Sequence, residues 1–243
     1  MAKIISIWGN NGAGKSTVAA LLSLFLSQQS KSVILIDTCI TTPQLSVWRP
    51  YDEVNYSHSI NSLMREDNLT LEILSHKLDM VNDNLGILGF IRGETSINSR
   101  SNQREDKFLQ ILEFASSLSD YIIVDCNTNF LDDIYTIKSL ELADTTLRVL
   151  SPDIKGVVFE QSCLSMLPNS KFKTDKHIRV GGCCKSYHNI NLVEGIIGNF
   201  DVLLPYCEDI ELMNILGKLF EKFNSSQYNQ YKTQLLKVME VVK

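Results

Sequence analysis

The sequence contains no apolar run long enough to cross a membrane, no proline- or glycine-rich linker and no internal repeat. A membrane-spanning helix needs about 20 predominantly apolar residues. The apolar start of the chain, residues 4–8, is too short for the hydrophobic region of a signal peptide and leads directly into a glycine-containing loop. These absences predict a cytoplasmic protein in which residues 1–243 form a single domain. Any association with a membrane would then be peripheral, for example through a partner.

The sequence also lacks a basic surplus and a disulfide pattern. Its net charge is −5, so contact with DNA or a membrane would need a local basic patch or a partner. The six cysteines include no C-x-x-C pair, and the adjacent Cys183 and Cys184 suit neither a zinc site nor a disulfide. The four histidines have no metal-ligand spacing. We therefore expect reduced cysteines and histidines that lie in loops or at the surface.

What the sequence does have is an alternation of short apolar runs and longer helical patterns, which is typical of strands buried on both faces of a parallel sheet. It predicts an α/β fold with a mostly parallel central sheet of about seven strands, flanked by helices on both faces. The predicted strands are 4–8, 33–36, 85–91, 121–124, 146–150, 178–180 and 202–204, and the predicted helices are 17–27, 107–117, 132–142, 210–223 and 225–241. Residues 50–68 and 92–105 are predicted to be polar, mobile connections.

Residues 9–16, with the sequence GNNGAGKS, match the phosphate-loop pattern G-x-x-x-x-G-K-[ST] in full, between a predicted strand and a predicted helix. In such a loop the backbone N–H groups point inward and bind phosphate at a helix N-terminus. Lys15 is predicted to reach the β- and γ-phosphates as the catalytic residue, and Ser16 to ligate Mg²⁺. The predicted ligands are ATP or ADP with Mg²⁺, and the predicted nucleotide-binding residues are Gly9, Asn10, Asn11, Gly12, Ala13, Gly14, Lys15, Ser16, Thr17, Asp37 and Asp125.

Two predicted strands end in an aspartate, at Asp37 and Asp125. A carboxylate at the C-terminal edge of a buried parallel strand lies in the ligand crevice of an open α/β sheet. Asp125 follows the apolar run YIIV, which has the form of a Walker B segment, and we predict that it contributes to the Mg²⁺ site. A role as a turn or helix-cap residue remains the alternative for each aspartate.

These motifs, together with five further segments, resemble the ParA/MinD family of deviant-Walker P-loop ATPases. The segments are LID (35–37), DYIIVD (120–125), ADTTL (143–147), SPD (151–153) and LPY (204–206). The resemblance implies binding of ATP and Mg²⁺, a homodimer that encloses nucleotide, and a protein cargo or assembly partner. It is closest in kind to atypical members, such as TadZ/CpaE-type proteins, that localise pilus, secretion or conjugation machinery.

Compared with that family, the sequence differs where residues act on the γ-phosphate. Asn10 stands at the position of the signature lysine, Cys39 replaces a second aspartate and Asn129 replaces a glycine. The family's base-reading asparagine is absent from residues 180–183. Loss of a charged group that acts on a transferring phosphoryl group costs roughly 10³ to 10⁵ in rate, so we predict weak or lost hydrolysis. The alternative is an active ATPase in which a residue in trans, from residues 92–105, replaces the lysine.

The predicted C-terminal helix has one apolar face, with residues three and four positions apart. They are Tyr228, Tyr231, Leu235, Val238, Met239 and Val242. Packing against the domain is the simplest interpretation, with partner docking and peripheral membrane attachment as alternatives.

The function also has an alternative, which is a kinase or metabolic enzyme on the same fold. Such an enzyme would need its own set of acid and base residues, which the sequence does not display, and a turnover assay would distinguish the two.

Overall fold

The computed structural model describes residues 1–49, 58–94, 105–129, 133–165, 167 and 170–242. Eight strands alternate with helices along these residues. The strands are β1 (Lys3–Gly9), β2 (Val33–Asp37), β3 (Asp79–Asn82), β4 (Leu85–Leu88), β5 (Tyr121–Asp125), β6 (Thr145–Leu150), β7 (His177–Cys184) and β8 (Val202–Pro205). The helices are α1 (Lys15–Gln28), α2 (Leu45–Trp48), α3 (Ile60–Met64), α4 (Leu71–Lys77), α5 (Glu105–Leu118), α6 (Ile134–Leu142), α7 (Ile154–Leu164), α8 (Ile190–Ile197), α9 (Glu208–Ile215) and α10 (Ser226–Val242).

The strands form one sheet in the order β3-β4-β2-β5-β1-β6-β7-β8. Neighbours are parallel except for the edge pair β3 and β4, which is antiparallel. Strand β1 lies between β5 and β6, and β5 lies between β1 and β2. The carboxyl ends of these central strands therefore meet at one edge of the sheet, where open α/β sheets bind their ligands.

Alternation along β1 divides its side chains between the two faces of the sheet. Ile5 and Ile7 belong to the core that includes α1 and α10. Trp8 belongs to the core on the other face, with residues of α5 and α6. Ser6 also points toward α6, where its buried hydroxyl donates to the carbonyl of Ser139 at 2.8 Å. Helices thus cover both faces, which explains why the last five residues of β1 are buried.

The α/β fold and mostly parallel sheet that the sequence predicts are confirmed, and all seven predicted strands are present with somewhat different ends. Strand β3 is an eighth strand that the sequence pattern did not indicate. The helix predicted at 210–223 is shorter, because α9 ends at Ile215 and Gly217 follows with a φ of 66°. Helices α2, α3, α4, α7 and α8 were not predicted. The connections predicted at 50–68 and 92–105 lie partly outside the described residues.

Helix α10 packs its apolar face against the domain. All six of the apolar residues that define this face are buried in the core shared with α1 and β1. Two aromatic contacts help to fix the helix: the ring of Tyr228 lies 6.2 Å from Phe25 and 4.1 Å from Phe223. The apolar face is therefore occupied within the chain. Within the described ranges, no helix is long and apolar enough to span a bilayer.

Candidate functional site

The phosphate-loop sequence connects β1 to α1 at the carboxyl edge of the sheet. Gly9 passes so close to β6 that a Cβ atom there would lie 1.8 Å from the carbonyl oxygen of Val149. Gly12 and Gly14 adopt φ angles of 78° and 89°, in the left-handed region that favours glycine. Gly14 is also the N-cap of α1. The glycines therefore allow both the close approach to β6 and the turn that places α1 beneath the loop.

A cleft of about 480 Å³ opens beside this loop. Its walls come from the loop and from the segments that follow β2 and β5. The lining residues are Asn11, Gly12, Gly14, Lys15, Ser16, Thr17, Cys39, Thr41, Thr42, Gln44, Asp125, Cys126, Asn127 and Thr128. Seven of the eleven residues predicted to bind nucleotide are in this set, whereas Gly9, Asn10, Ala13 and Asp37 are not.

Lys15 is the cation in the cleft. Its ammonium group donates to the hydroxyl of Thr128 at 2.7 Å and to the carbonyl of Asn10 at 3.2 Å. Burial lowers the pKa of Lys15, and the nearby carboxylate of Asp125 acts in the opposite direction. A half-buried ammonium that points into a polar cleft is suited to hold an anion, because the low local dielectric strengthens the attraction.

Asp125 lies at the end of β5, next to the first turn of α1. Its side chain is buried, and its pKa is raised to about 6 by that burial, against a hydrogen bond from Ser16 and the charge of Lys15. In the part of the chain that the structure describes, its Oδ1 atom has no hydrogen-bond partner. A buried carboxylate oxygen without a partner costs free energy unless a ligand or cation satisfies it.

Asp37 has a different environment. It lies opposite Asp125 in the register of β2 and β5 and is fully buried. Its two oxygens accept the backbone N–H groups of Cys39 at 2.9 Å and Gln44 at 2.6 Å. Burial and the charge of Asp125 raise its pKa well above the usual value. Asp37 thus organises the loop whose residues form one wall of the cleft, and whether it contacts a nucleotide stays a prediction.

The loop after β5 forms the other wall of the cleft. The hydroxyl of Thr128, which accepts from Lys15, lies within donating distance of the Gly9 carbonyl (3.0 Å) and of Asn11 Oδ1 (2.8 Å). The carbonyl of Thr128 accepts from the indole of Trp8 at 3.1 Å. The Trp8 ring, in turn, lies 5.1 Å from that of Phe159 on α7. Thr128 therefore connects the phosphate loop, its lysine and the core.

A second, smaller pocket of about 180 Å³ adjoins the cleft and shares Gly14 and Thr17 with it. Its lining is mostly apolar and includes Val18, Cys183, Leu204, Pro205, Tyr206, Cys207, Ile210 and Tyr231. Asn214 also lines this pocket, and its side-chain amide donates to Thr17 Oγ1 at 3.0 Å. The ammonium of Lys185 lies 4.5 Å from the Tyr206 ring centre at its rim. A polar cleft next to an apolar pocket suits a ligand with a charged part and a flat, apolar part.

All six cysteines are free, and no group of three or more His, Cys, Asp or Glu side chains within the described ranges is arranged to hold a metal ion. The segment given as the alternative source of a residue acting in trans, residues 92–105, lies mostly outside the described residues. Asn129, which the resemblance places at the position of a glycine, is described and is exposed.

Two residues of the site were not predicted. Ser151, beside Asn10, lies in the SPD segment that contributed to the resemblance, but nothing in the sequence indicates its contact with the loop. Thr128 follows Asp125 by three positions in a run of polar residues, and no motif singles it out. The signal for both is spatial, because they lie 141 and 113 positions from the residues they contact.

A family model described as an AAA domain matches residues 2–158, which include the phosphate loop, both strand-end aspartates and the SPD segment. No curated protein sequence matches the chain.

Solved structures with the same fold span the whole chain. A ParA family ATPase from Chlorobium tepidum TLS is 19% identical, with a TM-score of 0.78 and coverage of 97% of each chain. The septum site-determining protein MinD from Pyrococcus horikoshii OT3, in complex with Mg-ADP, is 21% identical, with a TM-score of 0.76 and coverage of 99% of this chain and 96% of that chain. Apo McdA from Cyanthece is 17% identical, with a TM-score of 0.72 and full coverage of both chains.

Proposed function

The chain belongs to the AAA domain family and has the fold of the ParA and MinD ATPases, and from that premise we propose that it binds ATP with Mg²⁺ and uses the bound nucleotide to control a positioning or assembly step. The phosphate loop, the polar cleft and the adjoining apolar pocket support nucleotide binding. The positioning role is carried over from the structural relatives, one of which is named as a septum site-determining protein. Residues 1–243 would act as one nucleotide-binding unit, at work in the cytoplasm.

The observation that carries the proposal is the environment of Asp125. Its unpartnered Oδ1 atom is buried next to the cleft, and the Ser16 hydroxyl hydrogen-bonds the same carboxylate. A hydroxyl and a carboxylate beside a phosphate site are the oxygen ligands that Mg²⁺ uses in nucleotide complexes, where waters and phosphate oxygens complete the octahedron. The residues present therefore fit the ion. Bound Mg²⁺ would neutralise phosphate charge, Ser16 would hold it directly, and Asp125 would hold one of its waters.

The chain's own groups account for the rest of the ligand. Lys15 would pair with the terminal phosphates, and the loop N–H groups would donate to their oxygens. The apolar pocket would take the base, between Val18 on one side and Tyr206 on the other. The apolar pocket shares Gly14 and Thr17 with the cleft. One nucleotide could therefore place its phosphates in the cleft and its base in the pocket, which supports this arrangement.

The residues around the terminal phosphate favour binding over turnover. Asn10 carries no charge and is directed away from the cleft, and Cys39 offers a thiol where a carboxylate would orient water. Burial raises the pKa of the Cys39 thiol, so this group stays protonated and is a poor base near neutral pH. We therefore propose weak or lost hydrolysis, in a homodimer that recruits a protein cargo. An ATPase completed by a residue in trans is the alternative.

The experiment that tests nucleotide binding is isothermal titration of ADP and ATP with Mg²⁺ into the wild type and Lys15→Ala. We expect binding in the low-micromolar range or weaker, on the order of −8 kcal/mol, and its loss in Lys15→Ala. Lys155→Ala, an exposed lysine on α7, is the matched control. Equal affinity in wild type and Lys15→Ala would remove the basis of the assignment.

A further inference from the structure

The side chain of Asn10 is directed into its own chain. Its Oδ1 atom accepts the backbone N–H of Ser151 at 2.9 Å, and its Nδ2 donates to Ser151 Oγ at 2.9 Å and to the Asn11 carbonyl at 3.1 Å. Only 5% of Asn10 is exposed. An asparagine amide has two N–H donors and one carbonyl acceptor, so these contacts engage every one of them. Both donors and the acceptor of the Asn10 side chain therefore have hydrogen-bond partners within one protomer.

The contact continues into α7. Ser151 Oγ accepts from Asn10 and donates to Asp153 Oδ1 at 2.7 Å. The same oxygen of Asp153 accepts the N–H groups of Lys155 at 2.9 Å and Gly156 at 3.1 Å, which caps the helix. A hydroxyl has one donor and can also accept, so Ser151 can make both hydrogen bonds at once. The chain of hydrogen bonds joins the phosphate loop, the end of β6 and the first turn of α7.

We propose that Asn10 is a positioning residue that clamps the phosphate loop to β6 through Ser151 and thereby raises nucleotide affinity within a single chain. This inference rests on the proposed nucleotide binding. The loop contains two glycines in the left-handed region, so without a restraint it would lose conformational entropy each time phosphate bound. A clamp that fixes the loop beforehand removes part of that cost.

The same geometry explains why asparagine and lysine are not interchangeable here. A lysine has three donors and no acceptor. It could not accept the buried N–H of Ser151, which would then lose its side-chain partner. In this chain, Asn10→Lys would add a charge but remove the clamp, so we expect it to weaken ADP binding as Asn10→Ala does.

The test is calorimetry of Mg-ADP binding to four proteins. They are the wild type, Asn10→Ala, Ser151→Ala and the double variant. Light scattering gives the oligomeric state of each protein at the concentration used. We expect about tenfold weaker binding for Asn10→Ala, which is about 1.4 kcal/mol, and a smaller loss for Ser151→Ala, which keeps its backbone N–H. The double variant should bind about as weakly as Asn10→Ala, because coupled residues are not additive. Asn191→Ala, an exposed asparagine on α8, is the matched control and should bind like the wild type.

Hydrogen exchange of the ligand-free protein separates clamping from general stability. Asn10→Ala should speed exchange of the amides of residues 10–16 while those of β2 and β7 are unchanged, and its Mg-ADP affinity should fall at every protein concentration. Unchanged affinity in Asn10→Ala, or a loss seen only where dimers form, would overturn the clamp. If the wild type bound no nucleotide, the proposed function would fail, and loop exchange would still decide the clamp: equal exchange in wild type and Asn10→Ala would refute it.

Discussion

The ammonium group of Lys15 and the hydroxyl of Thr128 lie 2.7 Å apart, although the two residues are separated by 113 positions in the chain. Thr128 occupies one of the N–H donors of the Lys15 ammonium in the ligand-free protein. Since burial lowers the pKa of Lys15, its charged form depends on close partners, and Thr128 supplies one in the ligand-free protein. A second N–H donates to the Asn10 carbonyl, so a bound phosphate would take the third donor or compete with Thr128.

We expect Thr128→Val to tighten ADP binding. The substitution keeps the shape of the side chain and removes the hydroxyl that competes with phosphate for Lys15. The affinity for ADP should rise about tenfold, because a hydrogen bond to a charged group contributes about 1.5–3 kcal/mol. Lys15 keeps its hydrogen bond to the Asn10 carbonyl in the variant. Calorimetry against the wild type measures it, with Thr145→Val at the far end of β6 as the control. Weaker binding in Thr128→Val would show that the hydroxyl supports the loop more than it competes.

Hydrolysis should be very slow in the isolated protein. Asn10 is engaged in cis with Ser151, and the Cys39 thiol is held protonated, so neither stabilises charge at a γ-phosphate or orients water. Steady-state phosphate release should stay well below about 1 s⁻¹, the lower end of typical enzyme turnover. Lys15→Ala provides the background from contaminating ATPases. A rate of 1 s⁻¹ or more above that background would contradict the prediction and favour a residue acting in trans.

Assembly should be insensitive to nucleotide. Because the Asn10 side chain is engaged within its own chain, a dimer would depend on surface packing of roughly 1,200 Å² or more in total. Ile154 on α7 is 71% exposed and Tyr187 is 75% exposed, and both follow strands that end at the site edge of the sheet. We expect light scattering to give the same dimer in the apo, ADP and ATP-analogue states.

Two variants locate the surface of that dimer. Ile154→Asp should shift the protein toward monomer, whereas Val241→Asp, at an exposed apolar residue of α10, should not. A monomer in all three nucleotide states would refute the dimer. A dimer seen only with the ATP analogue would show that the γ-phosphate controls assembly and would contradict the prediction.

Acid should destabilise the fold through His177. Burial lowers the pKa of His177 to about 4, and the charge of Arg148 acts in the same direction. The unfolded chain has a histidine pKa near 6.5, so as the pH falls below that value the unfolded state binds a proton that the folded state does not. From pH 7 to pH 5 this difference costs the folded state about 2 kcal/mol.

The measurement is urea unfolding of wild type and His177→Gln at pH 7 and pH 5. The stability advantage of wild type over the variant should shrink by about 2 kcal/mol between the two pH values. His76→Gln is the matched control for replacing a histidine by glutamine, because the His76 side chain is 79% exposed. An advantage of wild type over His177→Gln that does not change with pH would show that His177 is accessible to protons in the folded state.

The fold was largely predictable, because its signals are local. Strands such as β2 are continuous apolar runs, and the phosphate loop has a fixed spacing. Strand β3 was missed since it is a short edge strand whose side chains are half-buried or exposed, and an apolar run marks only buried strands. The second half of β7 was missed because Gly181 and Gly182 have low strand propensity, although both are buried and Gly181 pairs with β6 and β8.

The site was only half predictable for a related reason. The motif identifies Lys15 and Ser16 as cleft residues, and both line the cleft. It does not say that Asn10 turns to Ser151, nor that both oxygens of Asp37 are taken by backbone N–H groups. Those contacts depend on which strands are neighbours in the sheet, and the order of parallel strands is not written in any local pattern.

The position of Trp8 gives this protein a built-in optical probe. Trp8 immediately precedes Gly9, and its indole donates to the Thr128 carbonyl and touches Phe159 on α7, so its emission should respond when phosphate binds Lys15 beside Thr128. The other tryptophan, Trp48, lies in the core on the opposite face of the sheet, with its ring 6.3 Å from Phe220. Replacing Trp48 with phenylalanine would leave a single tryptophan, beside the phosphate loop. Ligand entry could then be followed in real time, without a label, in a stopped-flow instrument.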